Sequence, residues 1–142
     1  MFHRHGVPRS RIEFLAEVPF LQGVPKKELA RIDSHIDEVH FSAGRTLTTQ
    51  GAGADEVFIV ADGVAEVRVG EEVVGETSVG ELIGEIGVLK HVPRTATVIA
   101  KTPMHLLVIN PRELDWLFDD PKLAERVQQN LERHLGGPQA EG

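Results

Sequence analysis

The sequence contains no cysteine and no tyrosine, and it has a single tryptophan among 142 residues. Without thiols the chain can form no disulfide bond, offers no thiol nucleophile and cannot hold zinc through cysteine. The lack of cysteine is also compatible with the cytosol, where thiols are kept reduced.

Long apolar runs are absent as well. The stretch Met104–Ile109 has six residues, one of them a histidine, whereas a membrane-spanning helix needs about 20 apolar residues. The first residues, Met1–Gly6, contain no apolar stretch of signal-peptide length. We therefore expect a soluble, cytoplasmic protein with no membrane contact.

Positive charge is scarce. The chain has 15 lysines and arginines against 22 acidic residues, which gives a net charge of −7. An acidic surface repels a phosphate backbone, so we expect no direct binding to nucleic acid, although a local basic site remains possible. The length and a hydrophobic content of 41% fit one globular domain.

Valine is concentrated in the middle of the chain, where eleven of the seventeen lie between Val57 and Val98. β-branched residues interrupted by glycine favour short strands joined by tight turns. Ala65, Val67 and Val69 alternate with charged residues, which predicts a strand with one buried face. After a turn at Gly70 the chain returns through 73–74, and we expect further strands at 95–100 and 104–109.

The two ends of the sequence have helical patterns. Ser10 is a suitable cap for a short helix that Pro19 stops. Pro25 can begin a second helix, and Asn110-Pro111 and Asp120-Pro121 can begin two more. In the second helix the apolar residues at helical spacing are Leu29, Ile32, Ile36 and Val39.

This order of elements predicts a mostly β fold with flanking helices. We expect a flexible N-terminal arm at residues 1–9, one domain at residues 10–135, and a disordered tail at residues 136–142 after the glycines that end the last helix.

The segment from Gly84 to Val98 carries the most chemistry. Glycines let a ligand approach the backbone closely, and the first amides of a short helix favour an anion. Arg94 can grip two phosphate oxygens, while Glu85 can accept a hydrogen bond from a hydroxyl or hold Arg94. A sugar phosphate offers both kinds of group. On residue types alone, a turn with a surface ion pair is the more common explanation, and only a match over a longer pattern favours a ligand site.

This segment, Gly84–Leu89 followed by Pro93–Val98, resembles the phosphate-binding cassette of cyclic nucleotide-binding domains. That family includes catabolite-activator-type bacterial regulators, regulatory subunits of cyclic-nucleotide-dependent kinases and cyclic-nucleotide-gated channels. The glutamate-to-arginine spacing matches, and the resemblance covers about residues 12 to 135. It implies a double-stranded β-helix, or jelly-roll barrel, between N-terminal and C-terminal helices. Upstream, the similar stretches are Leu15–Leu21, Phe41–Gly44, Gln50–Gly51 and Phe58–Val67.

The resemblance implies a role for each cassette residue. Glu85 would bind the ribose 2′-hydroxyl and Arg94 would neutralise the cyclic phosphate. Thr95 would join the phosphate contacts, and in the family a threonine there is compatible with guanine as well as adenine. Gly87 stands where alanine is commoner, and we expect no loss of binding from it. The backbone amides that would line the phosphate are those of Gly84, Glu85, Ile86 and Gly87.

The base pocket follows from the same resemblance. Val67 and Val74 fall where its apolar walls are expected. The predicted helix from Pro121 to Leu135 would be the moving part, and it would contact a second subunit or a protein partner. A static packing helix is the alternative. The helix residues that could reach the base edge are Asn130, Arg133 and His134.

We therefore predict a non-enzymatic sensor of cAMP that needs no cofactor, with cGMP left open by Thr95. The bacterial members of the family and the cysteine-free composition favour cAMP and a bacterial source. No helix-turn-helix follows the last helix, so we expect no direct reading of DNA. Whether the chain stands alone or belongs to a longer protein stays open.

Two alternative functions compete with the sensor. A ligand-independent adaptor of the same fold would be expected to lose Glu85 or Arg94, and both are present. A metal-dependent barrel enzyme needs histidines and a carboxylate that converge. That enzyme and any structural metal site are disfavoured. His3 and His5 form a His-x-His pair, but on an arm expected to be disordered, and the other histidines are scattered without ligand spacing, at His35, His40, His91, His105 and His134.

Overall fold

The computed structural model describes residues 2–4, 7–52, 56–84, 96–109, 119–122 and 125. The chain divides into two compact units. In the described part, the first unit includes everything up to Ile36 together with residues near 120, and the second unit begins at Asp37. The elements of the first unit are β1 (Phe2–Arg4), β2 (Val7–Arg9), α1 (Arg11–Glu17), a short 3₁₀ helix (Pro19–Leu21) and α2 (Lys26–Asp33).

Helix α1 begins and ends where the sequence predicts. The side chain of Ser10 accepts a hydrogen bond from the backbone nitrogen of Glu13 at 3.1 Å, which satisfies one of the unpaired amides of the first turn. The helix ends at Glu17, and Pro19 begins the 3₁₀ helix. The predicted cap is thus confirmed.

Helix α2 starts after Pro25, as predicted, but it is shorter than its apolar spacing indicated. Ser34 ends the helix and its backbone nitrogen bonds to the carbonyls of Ala30 and Ile32. Ile36 lies beyond this end, and Val39 belongs to a strand, so their assignment to the helix was wrong. The strand pairing of Val39 prevails over a helical spacing that continues only by coincidence.

One arginine connects helices α1 and α2. The Nε atom of Arg11 donates to a carboxylate oxygen of Asp33, and Nη2 donates to the carbonyl oxygen of Asp33 at 3.0 Å. Both side chains are about three-quarters buried, so this charge-assisted pair is shielded from solvent. It fixes the start of α1 against the end of α2.

The second unit is made of two antiparallel sheets of four strands each, in the orders β3-β10-β5-β8 and β4-β9-β6-β7. From β3 to β10 the chain changes sheet at every step except the β6–β7 hairpin. This alternation agrees with the double-stranded β-helix, or jelly roll, that the family resemblance implied. The strands are β3 (Asp37–Phe41), β4 (Thr46–Thr48), β5 (Val57–Asp62), β6 (Ala65–Val69), β7 (Glu72–Thr77), β8 (Leu82–Ile83), β9 (Thr97–Ala100) and β10 (Met104–Ile109).

The core of this unit is formed by inward-facing residues of both sheets. Strand β6 contributes Val67, which pairs with Val98 of β9, and both are fully buried. The predicted alternation ends at Val69, which is 44% exposed because it precedes the hairpin turn. The buried cluster consists of Phe58, Val60, Ala65, Val67, Ile83, Ala96, Val98, Ala100, Met104, Leu106 and Val108.

The termini were expected to be a flexible arm and a disordered tail. At the N-terminus, β1 and β2 pair antiparallel, with His3 opposite Pro8. The mobility of the arm stays a prediction, and the tail at 136–142 lies outside the described residues. The greater part of the predicted C-terminal helices also lies outside the described residues. Where Asp120-Pro121 was predicted to begin a helix, Asp120 Oδ1 accepts a bond from the nitrogen of Lys122 at 3.0 Å.

Within the ranges that the structure describes, no helix has both the length and the apolar character needed to cross a lipid bilayer.

Candidate functional site

The candidate phosphate-binding segment connects the two sheets of the second unit. It leaves β8 at Gly84 and enters β9 after Ala96. Glu85, Ile86, Gly87, Arg94 and Thr95 lie outside the described residues, so their roles stay predictions. The structure does define how each end of this segment is held.

The entrance is fixed to the edge of a sheet, where β8 lies beside the inner strand β5. Strand β8 pairs with β5, with Ile83 opposite Phe58. The turn before it is closed by Glu81, whose Oε1 atom accepts bonds from both the nitrogen and the hydroxyl of Ser78, each at 3.0 Å. The nitrogen of Gly80 donates to the carbonyl of Val60 at 2.8 Å. The chain therefore reaches Gly84 from a well-anchored turn.

Gly84 has a backbone conformation that favours glycine. Its φ angle is +95°, in the left-handed region, and the residue is buried. A side chain there would be strained, so the backbone conformation favours glycine. The close approach of a ligand to Gly84 stays a prediction.

The exit is held by side-chain hydroxyls of two threonines. Thr48 is 4% exposed, and its Oγ1 atom donates to the carbonyl oxygen of Ala96 at 3.1 Å. The nitrogen of Gln50 donates to Oγ1 of Thr97 at 2.9 Å. Thr48 and Thr97 were not predicted from the sequence, because no local pattern indicates which strand pairs with β4.

The predicted base-pocket residues lie on neighbouring strands. Val67 is fully buried and its side chain belongs to the core, while Val74 is 49% exposed. Val67 pairs with Gly75, and the register shifts next to this pair, which leaves Val74 without a direct cross-strand partner. Their contact with a base stays a prediction, and Asn130, Arg133 and His134 lie outside the described residues.

Gln50 links the two sides of the candidate site. Its backbone nitrogen contacts Thr97 at the exit of the phosphate segment, and its side-chain oxygen accepts a bond from the nitrogen of Gly70 at 2.7 Å. Gly70 lies in the turn of the β6–β7 hairpin, which carries Val67 and Val74. The hairpin of the predicted base pocket is thereby tied to the strand that follows the phosphate segment.

The basic side chains that the structure describes in this unit are all engaged elsewhere. Arg68 pairs with Glu66 at 2.6 Å and Lys101 with Glu76 at 2.6 Å. The guanidinium of Arg45 lies 3.8 Å from the centre of the Phe41 ring, a cation–π contact.

Lys101 stands beside two carboxylates. Glu66 lies directly opposite Glu76 in the β6–β7 ladder, which places like charges side by side. The hydrogen bond and the charge of Glu76 raise the pKa of Lys101 above its ordinary value of 10.5, and the charge of Glu66 adds to this shift. Arg68 and Lys101 therefore compensate the two carboxylates.

Two of the scattered histidines meet across the other sheet. The rings of His40 and His105 stack with their centres 4.5 Å apart, and Nε2 of His105 lies 2.9 Å from Oε2 of Glu38. This pairing was not foreseen, because it depends on the register of β3 against β10. In the described part of the chain, no group of three or more histidine or acidic side chains is placed to hold a metal ion.

Comparison with known proteins matches this unit to a family. The model of the cyclic nucleotide-binding domain matches residues 38–120, which include the whole segment from Gly84 to Ala96. The chain is 39% identical over 92 residues to the cAMP-dependent protein kinase regulatory subunit of Mycosarcoma maydis. That match covers 62% of this chain and only 18% of the kinase subunit.

Solved structures share the fold. The regulatory subunit of a cAMP-independent protein kinase A from Trypanosoma brucei has a TM-score of 0.77 and 26% identity over 89% of this chain and 45% of that chain. A triple mutant of that subunit, in which one substitution replaces threonine by arginine, is bound to cAMP in its A site. The N-terminal domain of a transcriptional regulator from Streptomyces coelicolor A3(2) has a TM-score of 0.73 and 27% identity over 86% of this chain and 91% of that chain.

The chain thus spans less than half of the kinase subunits that it matches. The match to the family model extends over more than half of the chain, across the two sheets and the segment that joins them. This chain belongs to the family of cyclic nucleotide-binding domains.

Proposed function

We propose that the chain is a non-enzymatic sensor module that binds cAMP, and also cGMP, and passes the signal to a partner through its C-terminal helix. The observation that carries this proposal is the extent of the family match. It spans residues 38–120, and within it the chain retains Glu85 and Arg94 at the family's spacing.

In this proposal the phosphate is held by the segment that starts at Gly84. Arg94 neutralises the cyclic phosphate, and the Thr95 hydroxyl adds a contact to the phosphate. The carboxylate of Glu85 accepts a hydrogen bond from the ribose 2′-hydroxyl. The engagement of Arg45, Arg68 and Lys101 with other side chains supports Arg94 as the phosphate-binding cation. The backbone amides assigned to the phosphate are those of Gly84, Glu85, Ile86 and Gly87.

The base would contact the β6–β7 hairpin and the C-terminal helix. The half-exposed Val74 offers an apolar surface beside the strand of Val67, which suits the face of a purine. The predicted helix at 121–135 would close over the base and so carry the signal. The ligand shifts the helix toward this closed position because it contacts the closed position better than the open one. The helix residues assigned to the base edge are Asn130, Arg133 and His134.

We further propose that residues 10–135 form the functional domain, preceded by an arm at 1–9 and followed by a tail at 136–142. The predicted C-terminal helix is the proposed contact with a second subunit or a protein partner, in the cytoplasm. Binding to DNA is no part of this proposal, since the net charge of −7 opposes it.

Isothermal titration with cAMP and with cGMP tests the proposal. We expect saturable binding of both nucleotides, with cAMP as the preferred ligand. The non-cyclic 5′-AMP is the matched control and should bind much more weakly, because its phosphate has a different charge and geometry. The absence of saturable binding for both cyclic nucleotides would contradict the proposal. A preference for cGMP above about 100-fold, or about 2.8 kcal/mol, would contradict the choice of cAMP.

A ligand-independent regulatory domain is the second candidate function. It is favoured by the similarity to the Trypanosoma brucei subunit, which belongs to a cAMP-independent kinase. The mutant of that subunit that is bound to cAMP gains an arginine, whereas this chain already carries Arg94. The same titration separates the two candidates, because a ligand-independent domain takes up neither nucleotide.

A further inference from the structure

Where β9 begins, hydrogen bonds of side-chain hydroxyls replace the backbone-to-backbone bonds between β4 and β9. The β4–β9 ladder ends with Thr48 opposite Val98. Beyond that pair the carbonyl of Ala96 accepts from the hydroxyl of Thr48, and the nitrogen of Gln50 donates to the hydroxyl of Thr97. The first residues after the phosphate segment are therefore fixed to β4 through side chains.

Thr48 is the buried member of this pair of hydroxyls. A buried hydroxyl destabilises a protein unless it forms a hydrogen bond, whereas a valine of similar shape has no such requirement and suits a strand equally well. The hydroxyl of Thr48 bonds to the carbonyl of Ala96, which follows Thr95 directly in the chain. Its contribution is thus directed at the peptide next to the predicted phosphate-binding residues.

We propose that Thr48 is a positioning residue for the phosphate-binding segment. By holding the carbonyl of Ala96, it fixes the direction in which the chain leaves Arg94 and Thr95. A guanidinium that grips two phosphate oxygens must be placed within about 0.5 Å of its working geometry, so a small shift of its backbone weakens the contact. This inference rests on the proposed function.

A matched control beyond the other end of β9 distinguishes a positioning role of Thr48 from a purely structural one. There Oγ1 of Thr102 accepts a bond from the nitrogen of Val64 at 3.0 Å. The same hydroxyl donates to the carbonyl oxygen of Pro103 at 3.0 Å. Thr102→Val therefore also removes side-chain-to-backbone bonds of a threonine hydroxyl from this unit, but far along the chain from Ala96. Both valine variants should lower the thermal midpoint, whereas only Thr48→Val should affect the ligand.

Titration of the full chain with cAMP is the first measurement. We expect Thr48→Val to raise the dissociation constant about 3- to 10-fold, the effect of one hydrogen bond. Thr48→Ser keeps the hydroxyl and should stay within about twofold of the wild type, as should Thr102→Val. An unchanged affinity in Thr48→Val, or an equal loss in Thr102→Val, would overturn the inference while leaving the proposed function intact.

Hydrogen exchange without ligand is the second measurement. The backbone amides of Thr97 and Val98 should exchange faster in Thr48→Val than in Thr102→Val, because only the former loosens this end of β9. Equal exchange in the two variants would overturn the inference. If the wild type binds no cyclic nucleotide, the proposed function fails, and the exchange comparison alone decides whether Thr48 holds this strand.

Discussion

A Cβ atom on Gly63 would lie 2.4 Å from the carbonyl oxygen of Pro103. Gly63 joins β5 to β6 and has a φ angle of +93°, in the left-handed region. The backbone before β10 therefore passes against a position where only glycine fits. This close approach lets the connection between the two sheets pack directly on the start of β10.

Gly63→Ala should lower the free energy of unfolding by about 2–4 kcal/mol, because it combines a strained φ angle with a clash against backbone. The matched control is Gly44→Ala. Gly44 has a φ angle of +91° and nothing within 4 Å of an added Cβ atom, so only the conformational strain of about 1 kcal/mol applies. Urea denaturation measures both, and equal losses would argue against the close packing at Pro103.

Arg94→Ala should weaken cAMP binding by about 30-fold or more, since removal of one partner of a buried charge pair typically costs about 2–5 kcal/mol. The control is Arg45→Ala, which removes an equal charge from the same unit, but from a side chain that contacts the Phe41 ring. Titration of both folded variants gives the comparison. If the two dissociation constants agree, Arg94 has no place in the phosphate site.

Glu85→Gln tests the contact with the ribose. A hydroxyl bonded to a carboxylate contributes about 1.5–3 kcal/mol, so 2′-deoxy-cAMP should bind the wild type more weakly than cAMP does. In the variant the difference between the two ligands should shrink, because the charged acceptor is gone. Equal affinity of the wild type for both ligands would refute the assigned role.

Saturating cAMP should slow hydrogen exchange along residues 121–135, if that segment closes over the base. Exchange in α2, at Lys26–Asp33, serves as the internal reference, since no ligand contact is assigned to that helix. The same exchange at 121–135 with and without ligand would mean that the signal leaves the domain by another route.

Glu76→Gln should lower the pKa of Lys101 toward its ordinary value of 10.5, because the neighbouring carboxylate raises it. A raised lysine pKa means that the pair stabilises the folded state below pH 10.5 and loses this contribution as the pH rises through the folded-state value. Titration of the lysine side-chain signals by NMR checks the shift. An unchanged pKa in the variant would show that the ion pair does not form in solution.

Local elements followed from local residues. The Ser10 cap and the alternation of Ala65 and Val67 depend on neighbours a few positions away, so the sequence was sufficient to predict them. Strand β5 was less accessible to pattern analysis, because Val57–Val60 are buried on both faces and show no alternation. Its place was indicated by the family resemblance instead.

In the candidate site, too, the contiguous motif was predictable from the sequence, whereas the long-range contacts were not. The cassette motif with Glu85 and Arg94 is contiguous, so it pointed to the family without any structure. The contact of Thr48 with Ala96, the link from Gln50 to Gly70 and the stacking of His40 on His105 were not predictable from it.

The amino-acid order was therefore sufficient to indicate the family and the mostly β fold, and to single out the segment from Gly84 to Val98 as the candidate site, because each depends on motifs or periods that are contiguous in the chain. The fold in three dimensions settled which side chains hold that segment at its two ends. Thr48 and Ala96 are 48 positions apart, and they meet only because β4 pairs with β9 in one register. A shift of that register by one residue would turn the Thr48 hydroxyl to the opposite face of the sheet.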